Sequence, residues 1–250
     1  MVTGFNGFKN WFTGYDDQYV IIGGTACDII MNAEGLDFRA TKDIDMVLIV
    51  ESLTPEFGQR FWEYVKEGGY QHKNKSSGEP QFYRFTNPNK PDFPYMIELF
   101  SKRIDSIKLP AEAVLTPMPL DDDLSSLSAI LVDDDYYNFL SSGRRIIDGV
   151  PILDTTHLIP FKAKAWLDLT ARKAAGEPVD SKHIRKHKND VFRLSGLLTA
   201  ELTVNTADTI KADLTDFCSA MENEDVDLKA LGIRDDKTNV LEKILKVYFS

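Results

Sequence analysis

Cysteine is nearly absent from this chain of 250 residues: Cys27 and Cys218 stand far apart and outside any metal-ligand spacing. That excludes a disulfide scaffold and a thiolate zinc site, and reads as two reduced thiols. No apolar run approaches the ~20 residues of a membrane helix. Met1-Val2-Thr3-Gly4-Phe5 has no basic region followed by an apolar core, so a cytoplasmic protein without membrane contact is expected. Positive charge is scarce as well. Lys and Arg number 29 against 39 Asp and Glu, a formal net charge of −10. Extended DNA binding runs on cations neutralising phosphates, and this balance argues against it. One local exception is the stretch Lys182, His183, Arg185, Lys186, His187, Lys188 and Arg193. There is no Walker-type G-x-x-x-x-G-K-[ST] and no internal repeat.

What is present is an ordinary globular composition, 43% hydrophobic and 27% charged, arranged in two styles. Phe5, Phe8, Phe12 and Tyr15 fall at helical spacing over 5–15. Tyr19-Val20-Ile21-Ile22 reads as a strand closing on Gly23-Gly24. Thr25 is placed to cap a helix over 26–31, and a second acidic-then-apolar strand covers about 44–51. Thr54-Pro55-Glu56 opens a helix whose apolar face is Phe57, Phe61, Trp62 and Val65, ended by Gly68-Gly69. Residues 81–85 and 95–100 read as strands around a proline-rich turn. Pro110, Pro117 and Pro119 mark a boundary. Beyond it, 127–132, 144–148 and 150–153 read as short strands around a helical turn at 134–141, and then helices over 159–174, 181–199, 207–221 and 237–249. The expected class is α+β: an α/β-type lobe over 1–118, a small mixed sheet with helices packed on it, followed over 119–250 by short strands and a mainly helical lobe closing a cleft.

The most informative stretch is Asp43-Ile44-Asp45-Met46-Val47-Leu48-Ile49. Residues i and i+2 of a strand share a face, so Asp43 and Asp45 point the same way. Two carboxylates that close repel unless a cation lies between them. A hard divalent ion such as Mg²⁺, or Mn²⁺ in its place, prefers such oxygens. Glu98 is a third acid, set between Ile97 and Leu99. If its strand neighbours the Asp strand, the three carboxylates converge on one metal site, where Glu98 could also serve as base toward a hydroxyl. Upstream, Gly23-Gly24 lets backbone approach a ligand, and the helix start behind it favours an anion. Thr25 adds a hydroxyl suited to a cap or a phosphate oxygen.

Gly-Gly, then Asp-x-Asp on a strand, then an isolated acid on a later strand resembles the DNA polymerase β-type nucleotidyltransferase superfamily. The resemblance falls on Gly23, Gly24, Asp43, Asp45 and Glu98. It implies a glycine turn that binds the triphosphate and acids that ligate metal. The gap between Gly24 and Asp43 exceeds the family's usual spacing, consistent with a short insertion near 34–38. In the second half, Phe161-Lys162-Ala163-Lys164-Ala165-Trp166-Leu167, Arg172, and Lys186-His187-Lys188-Asn189-Asp190-Val191-Phe192 resemble the AbiEii-like toxins of type IV toxin–antitoxin systems. That resemblance implies Lys162 on a nucleotide phosphate, with Lys186 in the nucleotide-binding set and Asp190 nearby as a positioning or base residue. It also implies an NTP substrate, a hydroxyl acceptor on an RNA 3′ end, a protein or a small molecule, and a cognate antitoxin as partner.

Several features have plainer readings. Lys162 and Lys164 are two apart on a helix and do not share a face. The basic 182–193 stretch suits a wet helix face. Asp121-Asp122-Asp123 and Asp133-Asp134-Asp135 suit turns and helix caps. The rival functions are a glycosyltransferase using Asp-x-Asp to hold metal against a nucleotide-sugar, and a non-catalytic nucleotide-binding module of the same fold. Glycine turn and third acid together favour nucleotidyl transfer.

Overall fold

The computed structural model describes residues 1–72, 82–101, 130–131, 133–199 and 201–249. It separates into two compact units: Met1–Leu120 with Arg144–Asp154, and Asp121–Gly143 with Thr155–Ser250. The class is α+β, as expected. A single cut near 118 does not describe it, because the hairpin 144–153 joins the first unit's sheet.

The first unit contains α1 (Phe5–Trp11), β1 (Tyr19–Ile22), α2 (Gly23–Ala33), β2 (Asp43–Leu48), α3 (Pro55–Gly68), β3 (Gln71–His72), β4 (Phe82–Thr86), β5 (Met96–Phe100), β6 (Arg144–Ile147) and β7 (Val150–Leu153). They form one mixed sheet in the order β3-β4-β5-β2-β1-β7-β6. Strand β1 is antiparallel to β2 and parallel to β7, while β2 is parallel to β5. The β6–β7 hairpin turns on Asp148 and Gly149, with φ of 50° and 70°. Asp-Gly with both residues left-handed is the two-residue turn whose twist matches that of the strands. That turn returns β7 to lie beside β1.

One side of the sheet is closed by aromatic rings. Phe12 is fully buried and touches the rings of Phe8, Tyr19, Phe57, Phe61 and Tyr64 at centroid distances of 4.7 to 6.0 Å. The apolar faces of α1 and α3 thus meet β1 as the 3.6-residue periodicity predicts. Thr54 caps α3 by accepting from the Phe57 amide, Pro55 sits in its first turn, and Gly69 ends it in the left-handed region.

The second unit is helical: α4 (Asp134–Ser142), α5 (Thr155–Ala174), α6 (Ser181–Ser195), α7 (Asp208–Asn223) and α8 (Lys237–Phe249). Asp133 caps α4, accepting from Asp135 and Tyr136 amides, which is the plain reading of that acid run. Asp121-Asp122-Asp123 lies outside the described residues. So do Pro110, Pro117, Pro119 and most of the expected strand over 127–132, of which only Ile130 and Leu131 are described, as helical residues. Both cysteines are free and buried. No helix among the described residues is long and apolar enough to cross a membrane.

Helix α5 starts at Thr155, earlier than expected, and runs through Pro160. Proline has no N–H to give the carbonyl four residues back, here that of Thr156. The hydroxyl of Tyr248, 1% exposed in α8, donates to that carbonyl at 2.6 Å. A tertiary donor thereby replaces the missing helical one. Tyr248→Phe is expected to cost about 1–3 kcal/mol in urea unfolding, the penalty of a buried carbonyl left unpaired. Much of that loss should vanish in a Pro160→Ala background, where the backbone N–H returns. Equal losses in both backgrounds would assign the tyrosine a packing role alone.

Candidate functional site

Antiparallel pairing sets Ile22 opposite Asp45, parallel pairing sets Asp45 opposite Glu98, and antiparallel pairing sets Glu98 opposite Arg84. Directly opposite residues share a face. The register therefore lines up one row across β1, β2, β5 and β4: apolar, acid, acid, base. Asp43 stands two residues before Asp45 on β2, and both are half-buried.

Glu98 is 6% exposed. Arg84 reaches its Oε1 with Nε at 2.9 Å and Nη2 at 2.8 Å. On its other side Glu98 is hydrogen-bonded to Asp45. Burial first, then Asp45's charge and hydrogen bond, hold the Glu98 carboxyl well above the ordinary carboxylate range, and Arg84 offsets only part of this.

The glycine turn packs directly on this row. Gly23 has φ of +67°, and a Cβ there would lie 1.7 Å from Asp45 Oδ2. Only a residue without a side chain leaves room for that carboxylate. A Cβ on Gly24 would meet Thr41 Oγ1 at 2.9 Å and Arg39 Nη2 at 3.3 Å. Helix α2 begins at Gly23 with Ile22 as N-cap and no side-chain cap. Its N-cap residue supplies no capping oxygen, and the start of the helix lies against Asp45, which packs on Gly23. Thr25 is not the cap expected of it. It is 1% exposed, and its hydroxyl donates to the Asp43 carbonyl at 2.5 Å, tying α2 to β2.

Asp45 and Glu98 meet side chain to side chain, and Asp43 lies two residues before Asp45 on β2. Among the described residues, no three His, Cys, Asp or Glu side chains are grouped to hold a metal ion. Of the three acids expected at a metal, Glu98 is held by Arg84 and hydrogen-bonded to Asp45. Mg²⁺ commonly uses one or two protein carboxylates and takes its remaining oxygens from water and substrate phosphates. Asp43 and Asp45 on one strand face, beside an uncapped helix start, suit that donor set.

In the second unit Lys162, 4% exposed, pairs with fully buried Asp190 at 3.2 Å, and Arg193 lies 3.6 Å from the same carboxylate. The two residues expected to be neighbours are so, as an ion pair joining α5 to α6. Lys164 pairs instead with Asp213 at 2.8 Å, which also accepts from the Tyr136 hydroxyl. Lys186 is half-buried on α6.

The sequence reading missed Arg84, Arg39 and Thr41. Arg84 carried a usable signal, a lone charge inside Phe82-Tyr83-Arg84-Phe85, the same anomaly that marked Glu98. Arg39 and Thr41 follow the segment read as an insertion, and nothing local tells that they return to the glycine turn.

No family model matches the sequence, and no curated protein matches it. Among solved structures, an antigenic nucleotidyltransferase-like protein from Paracoccidioides brasiliensis aligns over 85% of this chain and 83% of its own, at 13% identity and a TM-score of 0.43. JHP933 from Helicobacter pylori aligns over 97% and 86%, at 14% identity and a TM-score of 0.32.

Two measurements check this geometry. Gly23→Ala should destabilise the protein by more than Gly14→Ala, because Gly14 shares the left-handed backbone (φ +89°) but has open space around it. The control carries only the conformational cost of about 1–2 kcal/mol, and equal losses would mean that Asp45 does not pack on Gly23. The second concerns pH. Because the folded-state pKa of Glu98 is raised, its contribution to stability is fully present below the unfolded value near 4.3 and is lost as pH rises through the folded value. The stability of wild type relative to Glu98→Gln should therefore fall with pH above the ordinary carboxylate range. A difference that rises across that window would reverse the assigned shift.

Proposed function

We propose that the first unit is a nucleotidyl-transfer centre, moving a nucleoside monophosphate from an NTP to an acceptor hydroxyl. The observation that carries this is the packing of Asp45 on Gly23, which sets a carboxylate pair against an uncapped helix start. Carboxylates and a triphosphate share a site only when a cation joins them, and the helix start is a ready phosphate cradle. Gly23 and Gly24 let the triphosphate approach backbone N–H groups, and Arg39 beside Gly24 adds a cation to the phosphates. A divalent ion, Mg²⁺ or Mn²⁺, held by Asp43 and Asp45 supplies neutralisation of triphosphate charge when bound.

Glu98 is the base in this reading. Its raised pKa brings it toward the operating pH, where proton transfer is most effective. The acceptor oxygen attacks the α-phosphorus, its proton passes to Glu98, the bond to the bridging oxygen breaks, and pyrophosphate leaves. The acceptor classes are an RNA 3′ end, a protein side chain or a small molecule, and the biological role proposed with them is that of a type IV toxin with a cognate antitoxin. Two buried thiols are consistent with a cytoplasmic setting.

The test is transfer of label from each α-labelled NTP, with Mg²⁺ or Mn²⁺, into total RNA and total protein. Label should require the metal and fall more than about 100-fold in Asp45→Asn, as befits loss of a metal ligand. The labelled fraction identifies the acceptor class. Asp45→Asn retaining full activity would overturn the site, and binding of nucleotide-sugar without any NTP labelling would favour the glycosyltransferase.

A further inference from the structure

Strand β4 brings a cation to the acid face of the sheet, and the proposed chemistry gives it no task. Phe85, 2% exposed, lies in the aromatic core with its ring edge-on to Phe61 at 5.4 Å. Side chains alternate along a strand, so the preceding residue, Arg84, faces the other side, where Asp45 and Glu98 stand. Core packing therefore fixes which way the arginine points. Its side chain is 12% exposed and that of Glu98 8%.

Arg84 meets Glu98 Oε1 with both Nε, at 2.9 Å, and Nη2, at 2.8 Å. Asp45 is hydrogen-bonded to the same carboxyl group. Glu98 is thus engaged twice, by a guanidinium and by the neighbouring acid. Asp43 and Asp45 differ from it in standing half-buried at the start of β2. A second divalent ion shared by Asp45 and Glu98 would have to break their hydrogen bond and draw Glu98 away from Arg84. That would leave a mostly buried guanidinium without its carboxylate and beside a doubly charged ion. Breaking one side of a buried ion pair is strongly unfavourable.

We infer that Arg84 takes the place of a second metal ion, so that the protein's own carboxyls bind one divalent ion, at Asp43 and Asp45. Arg84 is a positioning residue here, since it touches Glu98 and acts through it. A guanidinium suits the task because it stays charged at any working pH and offers several donors in a fixed plane. Glu98 then keeps one place, beside Arg84 and off the ion. All of this rests on the reading of Asp43 and Asp45 as the metal pair.

The experiment counts Mn²⁺ bound per full chain, without nucleotide, from the electron paramagnetic resonance of the free ion across the millimolar range. Wild type should bind one equivalent. Arg84→Met should bind a second, and Arg84→Met combined with Glu98→Gln should return to one, because Glu98 is the ligand that Arg84 withholds. Arg84→Lys, which keeps the charge, should stay at one. Loss of charge alone would tighten the first ion in Arg84→Met and in the double variant alike, whereas the second equivalent requires Glu98. Near-ultraviolet circular dichroism checks that each variant is folded, and Arg84→Gln replaces Arg84→Met if the latter is not. Two equivalents on wild type, a count that needs no variant, would overturn the inference and leave the metal pair standing. One equivalent on wild type and on the folded, uncharged Arg84 variant alike would overturn it too. No equivalent on wild type, or a full one on Asp45→Asn, would overturn the metal pair and the inference together.

Discussion

The pairing of β2 between β1 and β5 is the constraint on which the first unit depends. Because side chains alternate along a strand, slipping β2 by one residue would carry Asp43 and Asp45 to the aromatic side and expose Ile44 and Met46, both fully buried. The apolar residues hold the register, and the acids are placed by it. The same pairing sets Glu98 between Asp45 and Arg84, and it brings Asp45 beneath the one position, Gly23, where no side chain obstructs it. Core and site are consequently two faces of a single arrangement.

Electrostatics then divides the three acids into different kinds. Asp43 and Asp45 lie at the half-buried entry of β2, next to a helix start that favours negative charge. Glu98 is deeper, with Asp45 on one side and Arg84 on the other. An isolated buried carboxylate is costly, and such a group either pairs or takes up a proton. Glu98 does some of each: it holds the guanidinium at hydrogen-bond distance while its proton affinity stays high. Two half-buried carboxyls and one buried carboxyl held by a guanidinium differ from a cage of three ligands, and the difference lies in one residue, Arg84.

Much of this was legible beforehand because it is local. Phe5, Phe8 and Phe12 at helical spacing, Thr54-Pro55 with Gly69, and Asp43-x-Asp45 within an apolar run each carry their structural meaning within a few residues. The failures share a cause too, since they involve partners distant in sequence. Thr25 looked like a cap because a hydroxyl behind two glycines usually is one, yet the Asp43 carbonyl, 18 residues away, claims it. The expected start of α5 at 159 is four residues late because the turn before Pro160 is completed from outside, by Tyr248, 92 residues away. The 144–153 hairpin was assigned by chain order to the second lobe, whereas β7 pairs with β1 of the first. Sheet pairing is not encoded in order along the chain.

The buried ion pair of the second unit sharpens what a residue pattern can establish. Lys162 and Asp190 were singled out as neighbours by resemblance, and they are neighbours at 3.2 Å. Adjacency alone does not make a site, since a buried pair that joins two helices has a complete structural explanation: breaking it leaves one charge uncompensated inside the protein. Asp190 is moreover approached by Arg193, so its carboxylate serves two cations from within its own unit. The first unit's acids are the opposite case. Asp43, Asp45 and Glu98 bring three carboxyls to one sheet face with Arg84 as the cation at hand. Burial and Asp45 raise the pKa of Glu98, and Arg84 offsets only part of that rise. The acids of the first unit thus lie beside a helix start that favours negative charge and beside Arg39 at Gly24, whereas the Lys162–Asp190 pair is closed on itself.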